Sequence, residues 1–217
     1  MNTSNQFIII NKLENEIKDL YIASSQTLPF HGWHHIYFVY KNCVEFAIEL
    51  EADVFLVSVA ALTHDFNYLV AKQTTPNEGE VIRNELLKKS GLDEKTIAKI
   101  NTIIIEADIV TRNDEISNEA KALSDADSLF KALPITPIVF ASLYLKEQQT
   151  SIVNLAEKIL KDQAILFEKE IFFYSKAANA YLDWAETNYK LWINVRKYYL
   201  DSKFSYFLNE FESMLCV

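Results

Sequence analysis

Apolar residues recur at intervals of three and four almost from the start of the chain. Phe7, Ile10, Leu13 (or Glu14), Ile17, Leu20 and Tyr21 share one face, which predicts an amphipathic helix. The stretch SSQTLPFHG breaks it, and a second helix is expected from about Trp33 to Leu50. A third, from Val54 to about His64, is apolar on nearly every side, the mark of a helix buried at the centre of a domain. NYLVAKQTTP reads as a loop. Asn77 is placed to cap a fourth helix with Glu80 three residues on, and Gly91 closes it. Asp93 caps a fifth, in which Ile97, Ile100 and Ile104 share a face. After the loop IVTRNDEIS a sixth helix carries NEAKALSDADSLFKAL, and Thr136-Pro137 opens a seventh with proline in its first position. From Thr150 onward the pattern is almost continuously helical and aromatic. No repeat, low-complexity segment or linker divides the sequence. The expectation is an all-α fold forming a single domain over residues 1–217.

Composition agrees with this pattern. With 14 Phe, 11 Tyr and 3 Trp the chain is too rich in large apolar groups for intrinsic disorder. Three glycines and four prolines supply few tight turns, which suits long helices better than many hairpins. The formal charge of −9, with no basic run, disfavours duplex nucleic acid as a partner. A small phosphorylated ligand stays open, because a bound cation reverses the local sign. Cys43 and Cys216 have no zinc-ribbon or CxxC spacing and suit a reducing compartment, with Cys43 a core residue. No basic segment followed by a long apolar one opens the chain. The longest apolar stretch, VFLVSVAAL, is too short to span a bilayer. The expectation is a soluble cytoplasmic protein with no membrane partner.

The chain has four histidines, in two places. His31, His34 and His35 fall within FHGWHHIYFV, and His64 precedes Asp65 in ALTHDFNY. His31 lies in a loop before a helix, and His35 follows one turn later. His64 and Asp65 end the most apolar helix, where an unpaired charge is unfavourable. Asp125 and Asp127 lie on a later helix whose neighbours Leu123, Leu129 and Phe130 face inward. Imidazole and carboxylate donors on separate helices are what a divalent cation requires. No Ser-His-Asp order, Gly-rich phosphate loop or cysteine nucleophile competes with that chemistry.

These segments resemble the HD superfamily of metal-dependent phosphohydrolases, and more closely its predicted, poorly characterised branch. That branch reads roughly H-N-W-x-H, then A-A-x-x-H-D, then N-E, then a late D-x-D-L. Here the steps are HGWHH, AALTHDFNY, PNEGE and SDADSL. The resemblance covers about residues 28–133 and extends more weakly into IFFYSKAANAYLDWAETN, which makes residues from about 137 to 217 a C-terminal helical extension. It implies an HD-type helical domain holding one divalent metal ion (manganese, magnesium, iron, nickel or zinc) through His31, His64, Asp65 and Asp127. Asp127 is preferred to Asp125 because ADSL aligns with the late A-D-x-L stretch, leaving Asp125 beside the ligands. His35 would border the site and orient a ligand or the attacking water. Glu78, from the N-E step, would act as a general base or hold a water, so that Glu78 or Asp125 manages the proton. The implied activity is hydrolysis of a nucleotide or other small phosphate ester by metal-activated water.

Two departures qualify the match. Relatives with more than one metal add histidines between the HD pair and the last aspartate. This chain has only Glu106 and Asp108 in that neighbourhood, so a mononuclear site is expected. Ser128 stands where many members have arginine. His34 has no slot in the pattern and sits about 100° off the His31–His35 face, so it reads as a spectator. Trp33 reads as a packing residue. Lys72, Arg83 and Arg112 are the nearest cations to the motifs, with a solvated surface role expected for each. The aromatic tail reads as core or as the surface of a homodimer. Two rival functions stand beside the hydrolase: a degenerate metal-binding helical interaction module, and an iron HD-fold oxygenase. The second is disfavoured by the missing histidines.

Overall fold

The computed structural model describes residues 3–71, 75–109, 111–204, 206, 207 and 210; it is all-α, and no strand forms among the described residues. In chain order the helices are α1 (Thr3–Ala23), α2 (Trp33–Glu49), α3 (Val54–Thr63), α4 (Asn67–Val70), α5 (Glu80–Lys89), α6 (Glu94–Glu106), α7 (Asn118–Ala132), α8 (Ala141–Gln148), α9 (Ile152–Glu168), α10 (Lys176–Asn179) and α11 (Leu182–Leu200). The helix that is apolar all round takes the central place. Every residue of α3 from Phe55 to Thr63 is buried, because α1, α2, α6 and α7 all pack on it. Its first turn is held by Asp53, whose carboxylate accepts the N–H groups of Phe55 (3.0 Å) and Leu56 (3.2 Å). Its last turn delivers His64.

Local chemistry moves three of the expected boundaries. The loop after His64 contains the helical turn α4. The cap expected at Asn77 lies two residues earlier, at Thr75, with Pro76 opening a 3-10 turn over Pro76–Gly79. Proline favours that first position, since it has no N–H to leave unpaired. Gly79 is needed there, because a Cβ would come within 2.5 Å of the Asn67 backbone nitrogen. The 3-10 turn is thereby pressed against the segment that follows the His-Asp pair. The C-terminal run is also broken. α9 ends at Glu168, Glu170 takes a φ of 56°, and α10 begins only at Lys176.

The break is fixed by a buried ion pair. Arg112 donates to Asp125 Oδ1 (3.1 Å), to Ser128 Oγ (2.6 Å) and to the Phe172 carbonyl (2.6 Å). Asp125 in turn accepts the backbone N–H groups of Tyr174 (2.9 Å) and Ser175 (2.7 Å). Arg112 was expected in solvent, as was Arg83, yet both are among the largest fully buried side chains. Arg83 donates through Nε to Asn101 Oδ1 (2.6 Å) and reaches the Thr63 carbonyl (3.4 Å). Each guanidinium is tolerated inside because most of its donors find acceptors there, the Arg112 Nε excepted. Cys43 is buried as expected. Lys72 and Cys216 lie outside the described residues. Among the described residues no single helix is long and apolar enough to cross a membrane.

Apolar packing forms two clusters. The larger surrounds α3, and a smaller one joins Ala141, Leu155, Ala156 and Trp192 on α8, α9 and α11. A cavity of about 340 Å³ lies between them, lined by residues of both, including Leu123 from the first and Leu155 and Trp192 from the second.

Removing one member of a buried ion pair strands the other, at a cost of about 3–5 kcal/mol. Asp125→Ala should therefore lower the unfolding free energy by about that amount in urea denaturation. A loss below about 1 kcal/mol would show that Arg112 finds equivalent partners without it.

Candidate metal centre

Three helices bring four donors to one point on the cavity wall. His35 lies in the first turn of α2 and faces inward, where it is buried. His64 ends α3, Asp65 follows it, and Asp127 projects from α7. The Nε2 atoms of His35 and His64 are 3.3 Å apart. Asp65 stands 3.1 Å from the first and 3.3 Å from the second. Asp127 Oδ1 is 3.5 Å from His35 Nε2. One donor atom from each of His35, His64 and Asp127 falls within a 4.8 Å span, the one such group of three among the described residues. A divalent cation with ligands at about 2.0–2.2 Å separates neighbouring donors by about 3.0–3.5 Å, which is the spacing found.

Protonation suits the same purpose. The His64 Nδ1–H donates to the Ala61 carbonyl (2.8 Å), which leaves the Nε2 lone pair directed at the cluster. Burial lowers the His64 pKa despite the attraction of Asp65, which favours the neutral form of the ring that can ligate. Burial works to raise the Asp65 carboxyl, but His64 and His35 outweigh it and hold the group well below the usual range. Asp127 is only partly buried; desolvation works to raise its carboxyl, but Lys131 and the two histidines lower it. Its second oxygen pairs with Lys131, one turn on along α7. Two imidazoles and two carboxylates form a borderline-hard donor set that could hold a divalent ion.

His31 and His35 stand in exchanged places relative to the sequence expectation. The His31 Nδ1 is engaged by Glu147, and its backbone N–H also donates to that carboxylate (3.0 Å), as does that of Phe30 (2.8 Å). The ring stacks on Tyr68 at 3.5 Å and lines the cavity, 6.0 Å from the ring of His35. The reason is the start of α2. His31 precedes the N-cap Gly32 and so remains on the loop, while His35 is the first of the pair to have helical geometry and point at α3 and α7.

The two proposed proton carriers are placed elsewhere. Burial pushes the Asp125 carboxyl up to about 6 against the pull of Arg112 and the Ser175 and Tyr174 N–H groups. At neutral pH it is ionised and committed to those partners. Glu78 is exposed, and its carboxylate accepts the Thr75 N–H (3.4 Å) within the 3-10 turn. His34 is exposed and stacks on Phe140, as befits a spectator, and Trp33 packs beside Tyr37. Glu106 accepts from Ser117, while Asp108 lines the cavity. Glu147 carried no signal in the sequence, since it meets His31 across 116 residues. Lys131 was legible, being four residues from Asp127 on a helix.

Protein grown with supplemented manganese should therefore hold one metal per chain by elemental analysis. His35→Gln and His64→Ala should lose it, while His31→Gln and Asp125→Asn should keep it. Retention by His35→Gln together with loss in His31→Gln would restore the assignment made from the sequence.

No protein-family model matches the chain, and no curated protein matches it. Solved structures do share its fold. The Lin1889 protein of Listeria innocua has 20% identity and a TM-score of 0.57, covering 93% of this chain and 97% of that one. YpgQ of Bacillus subtilis has 20% identity and a TM-score of 0.58 over 89% and 96%. A Lactobacillus plantarum protein has 16% identity and a TM-score of 0.60 over 100% and 99%. At such identities the likeness is one of fold, and it extends through the C-terminal helices as well as the helices that bear the metal centre.

Proposed function

We propose that the chain is a metal-dependent phosphohydrolase of the HD type, acting on a nucleotide or similar small phosphate ester. The observation that carries this reading is the convergence of His35, His64, Asp65 and Asp127 on the wall of a ligand-sized cavity. A divalent cation bound there would polarise a phosphoryl oxygen and lower the pKa of a water. Lys131 and Lys158 line the same cavity and bring positive charge beside an otherwise acidic site. Nucleotides are favoured as the substrate class because YpgQ, similar in fold, is known in complex with ADP.

In this reading His31 replaces Glu78 and Asp125 as the group that manages water. Glu147 is ionised: burial works to raise its carboxyl, but the hydrogen bonds from His31 and the two backbone N–H groups bring it down. Its contact with the His31 Nδ1 leaves Nε2 as the ring nitrogen available to bond water in the cavity. The stacked Tyr68 ring holds the imidazole in that plane. His31 is then the water-orienting residue, and Glu147 positions it, in the way a carboxylate fixes the tautomer of a catalytic histidine.

Manganese-loaded protein should release phosphate or pyrophosphate from at least one member of a panel of nucleoside mono-, di- and triphosphates. On that substrate His31→Gln and Glu147→Gln should keep the metal while kcat falls by about 10²-fold, the usual scale for losing a positioned proton-handling group. Full metal occupancy with no turnover on any phosphate ester would favour the metal-binding interaction module instead.

A further inference from the structure

The cavity contains one polar group that the metal chemistry leaves unused. Gln163, on α9, lines it together with Leu155, Ile159 and Trp192, and only 7% of the residue is exposed. Its Oε1 is buried and has no hydrogen-bond partner. The neighbouring Asp162 is occupied by Lys158 (2.6 Å). A buried amide oxygen without a donor is unfavourable, and native proteins rarely leave one so. A leucine would fill this wall without that penalty. Residues that break such a local rule mark places where function outweighs stability.

The surroundings say what kind of donor is missing. Apolar side chains share this part of the wall with the Lys158–Asp162 pair, and Ile104 and Leu123 face the same space from the larger cluster. A flat ring with apolar faces and an N–H on its edge satisfies both parts of that environment. A bare sugar phosphate would set hydroxyl groups against aliphatic side chains. The same cavity reaches the metal centre, so a single ligand can span both.

We propose that Gln163 is a specificity-determining residue, accepting a hydrogen bond from the ring N–H or exocyclic amine of a heteroaromatic base seated on Leu155, Ile159 and Trp192. That the other end of the ligand is a phosphate rests on the function proposed above; the contact to the base stands on the cavity alone.

The test uses nucleosides, which carry no phosphate and cannot be hydrolysed by such a centre. Binding of adenosine and purine riboside, and of uridine and 3-methyluridine, is measured by calorimetry on metal-free wild-type protein and on Gln163→Leu. Purine riboside lacks the exocyclic amine of adenosine, and 3-methyluridine has a methyl group in place of the N3–H of uridine. In wild type at least one pair should differ by tenfold or more in favour of the N–H-bearing member, and in Gln163→Leu the gap should narrow to threefold or less. Without ligand, Gln163→Leu should melt at the same temperature as wild type or higher. No discrimination by the wild type, a gap that survives in Gln163→Leu, or a ligand-free melting temperature lowered by more than about 3 °C would overturn the assignment. Discrimination without hydrolysis of any phosphate ester would leave the base contact standing and remove the hydrolase.

Discussion

Two imidazole nitrogens facing each other across 3.3 Å, with carboxylates on either side, form the interaction on which the rest of the structure converges. The two ring nitrogens are close enough to share one proton in a hydrogen bond, but that leaves the carboxylates beside them, which are unfavourable near the core without compensation. A cation bound here would take both nitrogens as ligands and offset the carboxylates at once. It also explains the architecture, because the four donors come from α2, from the end of α3 and from α7, and α3 and α7 both pack on α2. The buried helix α3 can carry its polar ending only because its neighbours meet that ending with matching groups.

Behind this point the chain spends its other buried charges on holding the supports in place. Arg83 bonds Asn101 on α6 and reaches the carbonyl just before His64. The Arg112–Asp125 pair ties α7 to the break before α10, through the N–H groups of Tyr174 and Ser175. Gly79 allows the 3-10 turn to close on the segment after Asp65. The C-terminal helices complete the arrangement from the far side. Glu147 on α8 orients His31, and α9 and α11 supply Leu155, Ile159, Gln163 and Trp192 to the cavity. The motif-bearing half thus sets the histidine–carboxylate cluster, and the extension shapes the cavity beside it.

The parts legible in the sequence were those with a local cause. The almost wholly apolar stretch 54–62 marked α3 as central, and the Asp93 cap and the inward face of Ile97, Ile100 and Ile104 were read from spacing alone. His64, Asp65 and Asp127 were singled out from the order of their motifs, and the structure brings them together. What escaped depends on geometry that spacing does not encode. His31 and His35 both fit a ligand's place, and the position of the cap at Gly32 decides between them. Asp125 and Asp127 were separated correctly as to which faces the histidines, but the role of Asp125 required knowing that Arg112 folds inward. Charged residues are solvated by default, so the burial of Arg83 and Arg112 had no local signal, and neither did the pairing of Glu147 with His31.

The central claim is that His35, and not His31, joins His64, Asp65 and Asp127 around a single cation. Anomalous diffraction at the manganese edge, from crystals of the full chain grown with manganese, tests it most directly. The account predicts one strong peak per chain, at about 2.0–2.2 Å from the Nε2 atoms of both His35 and His64, with Asp127 in contact and His31 still on Glu147. A peak coordinated by His31 with His35 turned away, or the absence of any peak at this cluster, would contradict it.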